Sequence, residues 1–396
     1  MIKGVYDIII VGCGFAALSL LKNIKGEYRI AVFEEHSTVG YPLHCTGIVS
    51  DKAVEYIGTP ARQSIVNSFK SITLYSPLWK PITIDYKRKI IHVLDRVHLE
   101  KLLYESSLST NIEFYFGERV EKVYPNRKLI ITNHGKLVKG DIVVVCEGSQ
   151  HKILNSILGR SRGWKIHGIQ WDVRAKLNIG FDEIVIYFSN TVSPNYFSWL
   201  VPLSSKVVRI GIGGYKVNIY RLKYVTELFT KRGFIIVHSV GKPFGGTIVL
   251  GPPMLKDYIG TTIFLGDSGF HTKPFTGGGI LTISLFSSIL ARSLLKHGIT
   301  LYALERYHNC SLWLKRRLQV QYVISKLFHN LSDYEKDRLW DILIQYGVDS
   351  ILGRSTFDFH EENIKYILRV KSTLLPYILK TIKPYYAMRG LLDLLL

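Results

Sequence analysis

Two glycines and one acid near the start of the chain have the types and spacing of a dinucleotide-phosphate site. Gly12 and Gly14 follow the apolar run 8–11, and Ala17 takes the third position of the G-x-G-x-x-A pattern. Gly12 permits a sharp turn, and Gly14 has no Cβ, so a pyrophosphate can approach the backbone. Glu34 ends the next apolar run, about twenty residues further on, where a carboxylate accepts a hydrogen bond from a ribose hydroxyl. The order predicts a dinucleotide-binding strand–helix–strand unit.

A second group of small residues lies much later in the chain. Gly266 and Asp267 follow the apolar segment 260–265, and the glycines 277–279 precede a long predicted helix. The carboxylate can bind a sugar hydroxyl, and the helix start offers N–H groups to an anionic or electron-rich ring edge. Arg96 opens another predicted helix, where a cation opposes the helix dipole. We therefore predict that Arg96 contacts phosphate.

Charge and composition narrow the classes of partner. The 396 residues carry 51 Lys and Arg against 31 Asp and Glu, a formal net charge of +20. Such a charge favours anionic partners. No nucleic-acid motif is present, and basic residues near the C-terminus alternate with apolar ones, so a membrane surface or an anionic lipid fits better. The four cysteines have neither metal-type spacing nor disulfide-framework density; together with the absence of a recognisable signal peptide, this predicts a cytoplasmic location. No metal site is expected.

The pattern of strands and helices predicts an α/β protein. We expect a Rossmann-like domain from residues 1–65, 90–160 and 247–300, with an inserted antiparallel-sheet substrate domain from 66–89 and 161–246. The region 301–396 is predicted to be helical. Segment 279–295 is interrupted by polar residues and is interpreted as a buried helix rather than a membrane span. Segment 366–389 fits either an amphipathic membrane-surface helix or a packed helix with a solvated cationic face.

Four blocks of the sequence occur together in flavoprotein hydroxylase-like proteins. They are residues 12–17 with Glu34, Arg96 with Leu99, residues 146–148, and 266–267 with 277–279. Within that superfamily the chain most resembles the geranylgeranyl reductases, FAD-dependent enzymes that saturate isoprenoid chains. Residues 42–50 look like the cysteine loop of that family. Residues 194–202 look like its Y-x-W-x-F-P motif, with Val201 in the Phe place. The resemblance covers residues 1 to about 300.

The resemblance implies FAD as cofactor, with hydride delivery from flavin N5 coupled to protonation of an alkene. The implied cofactor contacts are Gly12, Gly14, Phe15, Ala16, Glu34, Glu35, Cys45, Thr46, Gly47, Arg96, Val120, Gly148, Gly266, Asp267, Gly277, Gly278, Gly279 and Ile280. The helix start near Gly279 would face the flavin's pyrimidine edge and stabilise its reduced form. The implied catalytic residues are Cys45 and His44, for gating or proton transfer, and Tyr196 and Trp199, whose rings line the substrate tunnel.

Several alternatives stay open. Cys45 can also be a small buried loop residue, His44 a surface polar residue, and Tyr196 and Trp199 plain core. The same scaffold carries FAD monooxygenases and halogenases, although no W-x-W-x-I-P run is present, and non-enzymatic prenyl-binding proteins. The substrate can be an isoprenoid diphosphate or an ether lipid. NAD(P)H and ferredoxin are both candidate electron donors. We expect a monomer, peripheral to the inner face of the cell membrane if it binds membranes, without nucleic acid.

Overall fold

The computed structural model describes residues 2–24, 26–159, 163–353 and 357–370. Its strands are β1 (Ile2–Val11), β2 (Ile30–Glu34), β3 (Ile48–Ser50), β4 (Ile65–Phe69), β5 (Ser71–Tyr75), β6 (Pro81–Asp85), β7 (Ile91–Leu94), β8 (Ile112–Phe116), β9 (Val120–Tyr124), β10 (Leu129–Thr132), β11 (Leu137–Val145), β12 (Lys165–Leu177), β13 (Glu183–Tyr187), β14 (Ser198–Ser204), β15 (Val207–Gly214), β16 (Ile235–Val240), β17 (Phe244–Val249), β18 (Tyr258–Ile259) and β19 (Thr262–Phe264). Its α-helices are α1 (Phe15–Ile24), α2 (Asp51–Ile57), α3 (Thr59–Gln63), α4 (Arg96–Ser107), α5 (Lys152–Leu158), α6 (Ile219–Lys231), α7 (Ile280–His297), α8 (Leu301–His329), α9 (Asp333–Gln345), α10 (Val348–Leu352) and α11 (His360–Val370).

The first sheet is parallel at its centre. Its main path runs β18-β19-β11-β1-β2-β8, and β10 and β9 extend it from β11 as an antiparallel ribbon. Strand β1 lies between β11 and β2, with Val11 opposite both Val145 and Phe33. These central strands are continuous apolar runs because helices and the rest of the protein cover both of their faces. The carboxyl ends of β1, β2 and β11 therefore meet at one edge of the sheet, where Gly12, Glu34 and Cys146 begin the loops.

The second sheet is mainly antiparallel and runs β16-β12-β15-β14-β13-β5-β6, with β17 paired to β12. Strands β5 and β6 come from an earlier chain segment, which ends at Asp85, whereas the rest of this sheet begins at Lys165, and β5 pairs with β13 in parallel. Helix α6 covers one face through Leu222, Val225 and Phe229. A small third sheet runs β3-β7-β4, and β5 and β6 of the second sheet come between β4 and β7 in the chain.

Helix α7 returns the chain to the first sheet and packs against α1, while α8 packs against α7. By length and composition alone α7 is apolar enough to cross a membrane, but 67% of its most apolar window is buried inside the protein. A single helix of this kind is weak evidence for a membrane span. Its polar side chains bond within the protein: Ser284 Oγ donates to the Ile280 carbonyl and Ser293 Oγ to the Ala303 carbonyl. It therefore has the burial of a core helix.

The predicted fold class, a Rossmann-like parallel sheet with an antiparallel sheet and C-terminal helices, is confirmed. Some boundaries differ. Within the motif-like segment 194–202, β14 begins only at Ser198, because the left-handed Asn195, with φ of 59°, turns the chain before it. The apolar segment 260–265 contains the short strand Thr262–Phe264, which pairs with β18 and is preceded by a turn at Gly260. Residues 48–50 of the predicted loop form β3. Residues 371–389 of the predicted amphipathic segment lie outside the described residues.

Candidate active site

One cavity of about 940 Å³ brings the predicted site together. The four predicted catalytic residues, Cys45, His44, Tyr196 and Trp199, all lie in its wall. So do all the predicted cofactor residues except Gly266. Gly266 is buried behind the wall, where an added Cβ would lie 2.7 Å from the Ala16 Cβ. Its role in this structure is therefore close packing of the chain against α1.

The two glycines after β1, Gly12 and Gly14, differ in why a side chain is absent there. Gly12 has a φ of 93°, and a Cβ there would lie 2.5 Å from the Cys146 carbonyl oxygen. A Cβ on Gly14 would meet nothing within 4 Å and would project into space beside the cavity. Ala17 is fully buried and packs in the core between α1 and the sheet. Gly12 is thus required by the fold, whereas Gly14 leaves room for a ligand.

Glu34 closes the same end of the cavity. Its Oε2 accepts a hydrogen bond from the Cys13 backbone N–H at 2.7 Å, and its Oε1 accepts from the His36 backbone N–H at 2.9 Å. These bonds hold the carboxylate beside the glycine turn, and its remaining lone pairs can accept from a ribose hydroxyl. Next to it, Glu35 accepts a bond from Gln150 Nε2 at 2.7 Å. The acid is therefore positioned where the sequence predicted it.

Arg96 lies in the cavity wall at the first turn of α4. Its guanidinium pairs with Glu100 one turn further along and lies over the Phe15 ring, 5.3 Å from the ring centroid. Within the described part of the chain, its Nε is buried without a hydrogen-bond partner. The Cys45 thiol lies within interaction range of the same guanidinium. A buried donor of this kind suits an acceptor on a ligand, although the phosphate contact itself stays a prediction.

Asp267 also lies in the cavity wall, in the turn Gly266–Gly269 that follows β19. The His151 Nε2 lies 2.9 Å from the Asp267 carbonyl oxygen and ties this turn to the loop after β11. Burial raises the pKa of the Asp267 carboxyl, and the nearby charges of His44, Arg96 and Lys165 oppose that rise. Burial lowers the pKa of His151 to about 4, so this histidine is neutral near pH 7.

The glycine run at the start of α7 forms the next part of the wall. Gly279 is the N-cap residue, and no side chain caps the helix or places an acid in its first turn. Gly277 has a φ of 69°, and a Cβ there would lie 2.5 Å from Ile248 and 2.9 Å from the Tyr196 hydroxyl. The N–H groups of this helix start are therefore open toward the cavity, as a flavin ring edge would require.

Thr46 of the cysteine loop is held by two residues that were not predicted from the sequence, Gln170 and Arg209. Gln170 Oε1 accepts from the Thr46 hydroxyl at 2.8 Å and from the Trp199 indole N–H at 3.3 Å. Arg209 donates to the Thr46 carbonyl at 3.1 Å while it pairs with Asp172 at 2.7 Å. The loop is thus tied to the antiparallel sheet. Only their alternation along β12 and β15 could have indicated that these polar side chains face inward.

Tyr196 and Trp199 combine core packing with a position in the wall. They are 1% and 7% exposed, and each ring packs on the backbone of a glycine, Gly213 and Gly211 respectively. The Tyr196 hydroxyl is buried without a partner in the described residues. Val201 is buried in the sheet and is absent from the described cavity wall. Cys13 and Cys146 are also buried, and burial raises the pKa of both thiols.

The rest of the cavity is apolar, and most of its lining residues were not predicted from the sequence. Strands of the antiparallel sheet form one wall and the helices after α7 form the opposite wall. The apolar residues that line it are Ile72, Leu74, Ile82, Ile84, Ile184, Ile186, Phe188, Phe197, Ile324, Leu327, Phe328, Leu331, Leu339, Trp340, Leu343, Val348, Leu352, Phe357, Ile364 and Ile367. No group of three or more His, Cys, Asp or Glu side chains suited to a metal ion occurs in the described ranges. This branch suits a long hydrocarbon.

These features define a class. The turn between β1 and α1, with Glu34 beside it, is suited to bind the phosphates and ribose of a dinucleotide. The cavity continues from there past the open start of α7, so the redox ring of that dinucleotide would reach the apolar branch. A family model described as pyridine nucleotide-disulphide oxidoreductase matches residues 6–186. The protein is a flavin-dependent oxidoreductase.

Comparison with individual proteins narrows the resemblance. The chain is 23% identical over 323 residues to an uncharacterised protein of Methanocaldococcus jannaschii, covering 78% of this chain and 79% of that one. It is 21% identical over 363 residues to digeranylgeranylglycerophospholipid reductase 1 of Methanococcoides burtonii, covering 85% and 87%. A geranylgeranyl bacteriochlorophyll reductase-like crystal structure from Thermoplasma acidophilum superposes with a TM-score of 0.78 at 18% identity, covering 96% and 99%. The predicted resemblance to geranylgeranyl reductases is confirmed.

Proposed function

We propose that this protein is an FAD-dependent reductase that saturates C=C bonds of geranylgeranyl chains in isoprenoid diphosphates or archaeal-type ether phospholipids. The observation that carries the proposal is the continuity of one cavity, from the glycine turn after β1 to the apolar wall of the antiparallel sheet and C-terminal helices. The similarity to digeranylgeranylglycerophospholipid reductases supports the same substrate class.

We propose FAD as the flavin because the glycine turn after β1, Glu34 and the glycine run before α7 lie along one cavity. Gly14 and the start of α1 would receive its pyrophosphate, and Glu34 the adenosine ribose. Arg96 and Asp267 would hold the ribityl and pyrophosphate region. The glycine run before α7 would border the isoalloxazine ring, with Thr46 and Gly47 on the cysteine loop facing it. A flavin mononucleotide would leave the Glu34 end of the cavity without a ligand.

The residues around the substrate must promote the reduction of an alkene that no neighbouring group activates. A bound flavin supplies hydride from N5, but an isolated trisubstituted alkene has no carbonyl group to accept negative charge. The apolar wall excludes water from the reacting carbons. The faces of Tyr196 and Trp199 stabilise positive charge that develops as the second carbon is protonated. We hypothesise that Cys45, in the loop held by Gln170 and Arg209, gates the alkene or helps to protonate it.

Lipid mass spectrometry tests the proposal. FAD-loaded protein, reduced and kept without oxygen, is incubated with digeranylgeranylglyceryl phosphate and separately with geranylgeranyl diphosphate. The proposal predicts a gain of two daltons for each bond saturated, in at least one substrate. Unchanged lipid mass with oxygen-dependent hydroxylation would favour a monooxygenase. Lipid binding without flavin or mass change would favour a prenyl carrier.

The electron donor and the cellular location are further proposals. We propose NAD(P)H or ferredoxin as the reductant, which anaerobic bleaching of the flavin spectrum by each donor would separate. The net charge of +20 supports a peripheral position on an anionic membrane. Sedimentation with vesicles containing anionic lipid, compared with neutral vesicles, tests it; equal sedimentation with both would contradict it.

A further inference from the structure

A buried ion pair, from which no site was predicted in the sequence, reaches the wall of the cavity through its lysine. Lys273 Nζ lies 3.1 Å from Asp358 Oδ1, and the residues are 6% and 2% exposed. Lys273 is itself part of the cavity wall. The two residues are 85 positions apart in the chain, so the pair joins the turn before α7 to the C-terminal segment.

The lysine belongs to the glycine turn that opens α7. Its backbone N–H donates to the Gly278 carbonyl at 2.9 Å, and its carbonyl accepts from the Gly277 N–H at 2.8 Å. A Cβ built on Gly278 would lie 3.2 Å from Lys273 Cε and 3.7 Å from its Nζ. The ammonium group therefore lies directly beside the glycine run that faces the expected position of the flavin ring.

Asp358 belongs to the C-terminal segment that packs near Lys273. Phe357, which precedes it, packs in the cluster that contains Trp199, and its ring centroid is 5.3 Å from Lys273 Nζ. The segment is anchored beyond Asp358, where Glu361 accepts bonds from Arg317 Nε at 2.6 Å and Gln321 Nε2 at 2.7 Å. The negative charge of Asp358 is thus supplied by a chain segment that also closes the apolar branch.

Stability alone does not explain a charged pair at this position. Taking two charges out of water carries a desolvation penalty that their attraction often only balances, and apolar replacement of such pairs is frequently neutral or stabilising. The surrounding wall is apolar and could accommodate such a replacement. A fixed cation next to a redox ring has an electrostatic consequence, because reduction adds negative charge to that ring.

We propose that Lys273 raises the reduction potential of the bound flavin and that Asp358 moderates this effect as its counter-charge. The inference rests on the flavin cofactor of the proposed function and is independent of which lipid is reduced. Lys273 is in the cavity wall and beside Gly278, whereas Asp358 is not part of the described wall, so we expect the cation to dominate the field at the ring. The pair therefore sets how strongly the reduced cofactor can drive hydride transfer.

The midpoint potential of the bound flavin, measured anaerobically by spectroelectrochemistry, tests the proposal. Lys273→Met is expected to lower the potential and Asp358→Asn to raise it. The double variant Lys273→Met with Asp358→Asn carries neither buried charge, and its potential is expected between those of the wild type and Lys273→Met. Lys231→Met, at an exposed lysine of α6 outside the cavity wall, is the matched control and is expected to match the wild type.

An unchanged potential in Lys273→Met, or an equal decrease in both single variants, would overturn the proposal, because the pair would then act only through folding. If a single variant leaves one buried charge uncompensated and does not fold, the double variant decides: a potential equal to the wild type contradicts the inference. Wild-type protein that binds no flavin would overturn the cofactor assignment and this inference together. Flavin-loaded protein that shifts as predicted but reduces no lipid would contradict the proposed substrate alone.

Discussion

The two halves of the cavity are built in different ways. The nucleotide half uses backbone: Gly12 turns the chain, Gly14 leaves space, and the open starts of α1 and α7 present N–H groups. The apolar half uses side chains from the antiparallel sheet and from α8 to α11. A phosphate site made of backbone requires particular residues at particular spacings, whereas many combinations of apolar residues can line a hydrocarbon channel. The two halves should therefore respond differently to substitution.

The largest effect is expected from adding a Cβ to the two glycines after β1. Gly12→Ala forces a left-handed φ and a 2.5 Å contact with the Cys146 carbonyl, so both protein stability and flavin binding should be lost. Gly14→Ala should leave the melting temperature of the flavin-free protein unchanged, because its Cβ meets nothing within 4 Å. We expect FAD affinity to fall roughly 10- to 100-fold from about 1–3 kcal/mol of overpacking. Equal FAD affinity in Gly14→Ala and wild type, by titration, would contradict this.

A larger side chain in the apolar half of the cavity should reduce lipid turnover without affecting flavin binding. Leu343 lines the cavity on α9 and is partly buried. Leu343→Trp is expected to reduce lipid turnover by at least about 10-fold through steric exclusion, with FAD content and dithionite reduction unchanged. Leu343→Met conserves the volume and serves as the control. If Leu343→Trp lost flavin as well, the two halves could not be treated as separate sites.

Cys45 lies where the two halves meet, on the loop held by Gln170 and within interaction range of Arg96. Cys45→Ala is expected to slow lipid reduction by about 100-fold, the lower end of typical proton-transfer contributions. FAD content should not change. Single-turnover rates in Cys45→Ala and Cys45→Ser provide the measurement. Turnover and flavin reoxidation equal to the wild type in Cys45→Ala would remove this residue from the mechanism.

The pH dependence of stability involves two buried histidines, His151 and His329, which lie outside the described cavity wall. Burial lowers the pKa of His151 to about 4 and that of His329 to about 3. An unfolded histidine has a pKa near 6.5, so below that value the unfolded chain binds more protons. The free energy of unfolding should therefore be highest above pH 6.5 and fall as the pH drops toward 4. Each histidine contributes a slope of at most about 1.4 kcal/mol per pH unit.

Urea unfolding at pH 7, 6 and 5 measures this slope. Asn tolerates the left-handed conformation of His151, so His151→Asn removes its titration with little backbone strain. The variant should lose less stability than the wild type between pH 7 and 5. Parallel pH dependences in the two proteins would show that His151 is not held neutral.

The difference between the halves also explains what the sequence could predict. Local patterns at strand ends were enough to predict the positions of the glycine turn, Glu34 and Asp267. The fold class followed from the order of the predicted strands and helices. Lys273, Gln170 and Arg209 were missed because their partners Asp358, Thr46 and Asp172 are distant in sequence. Gly266 was assigned to the cofactor because a pattern does not distinguish a glycine that faces a ligand from one that packs on α1.

Stopped-flow mixing tests most directly whether one cavity places the flavin against an isoprenoid chain. Anaerobically reduced, FAD-loaded protein is mixed with digeranylgeranylglyceryl phosphate or with its fully saturated counterpart, and flavin absorbance is followed. Reoxidation is expected with the unsaturated lipid and none with the saturated one. Flavin that stays reduced with both lipids, or that reoxidises equally with both, would contradict it.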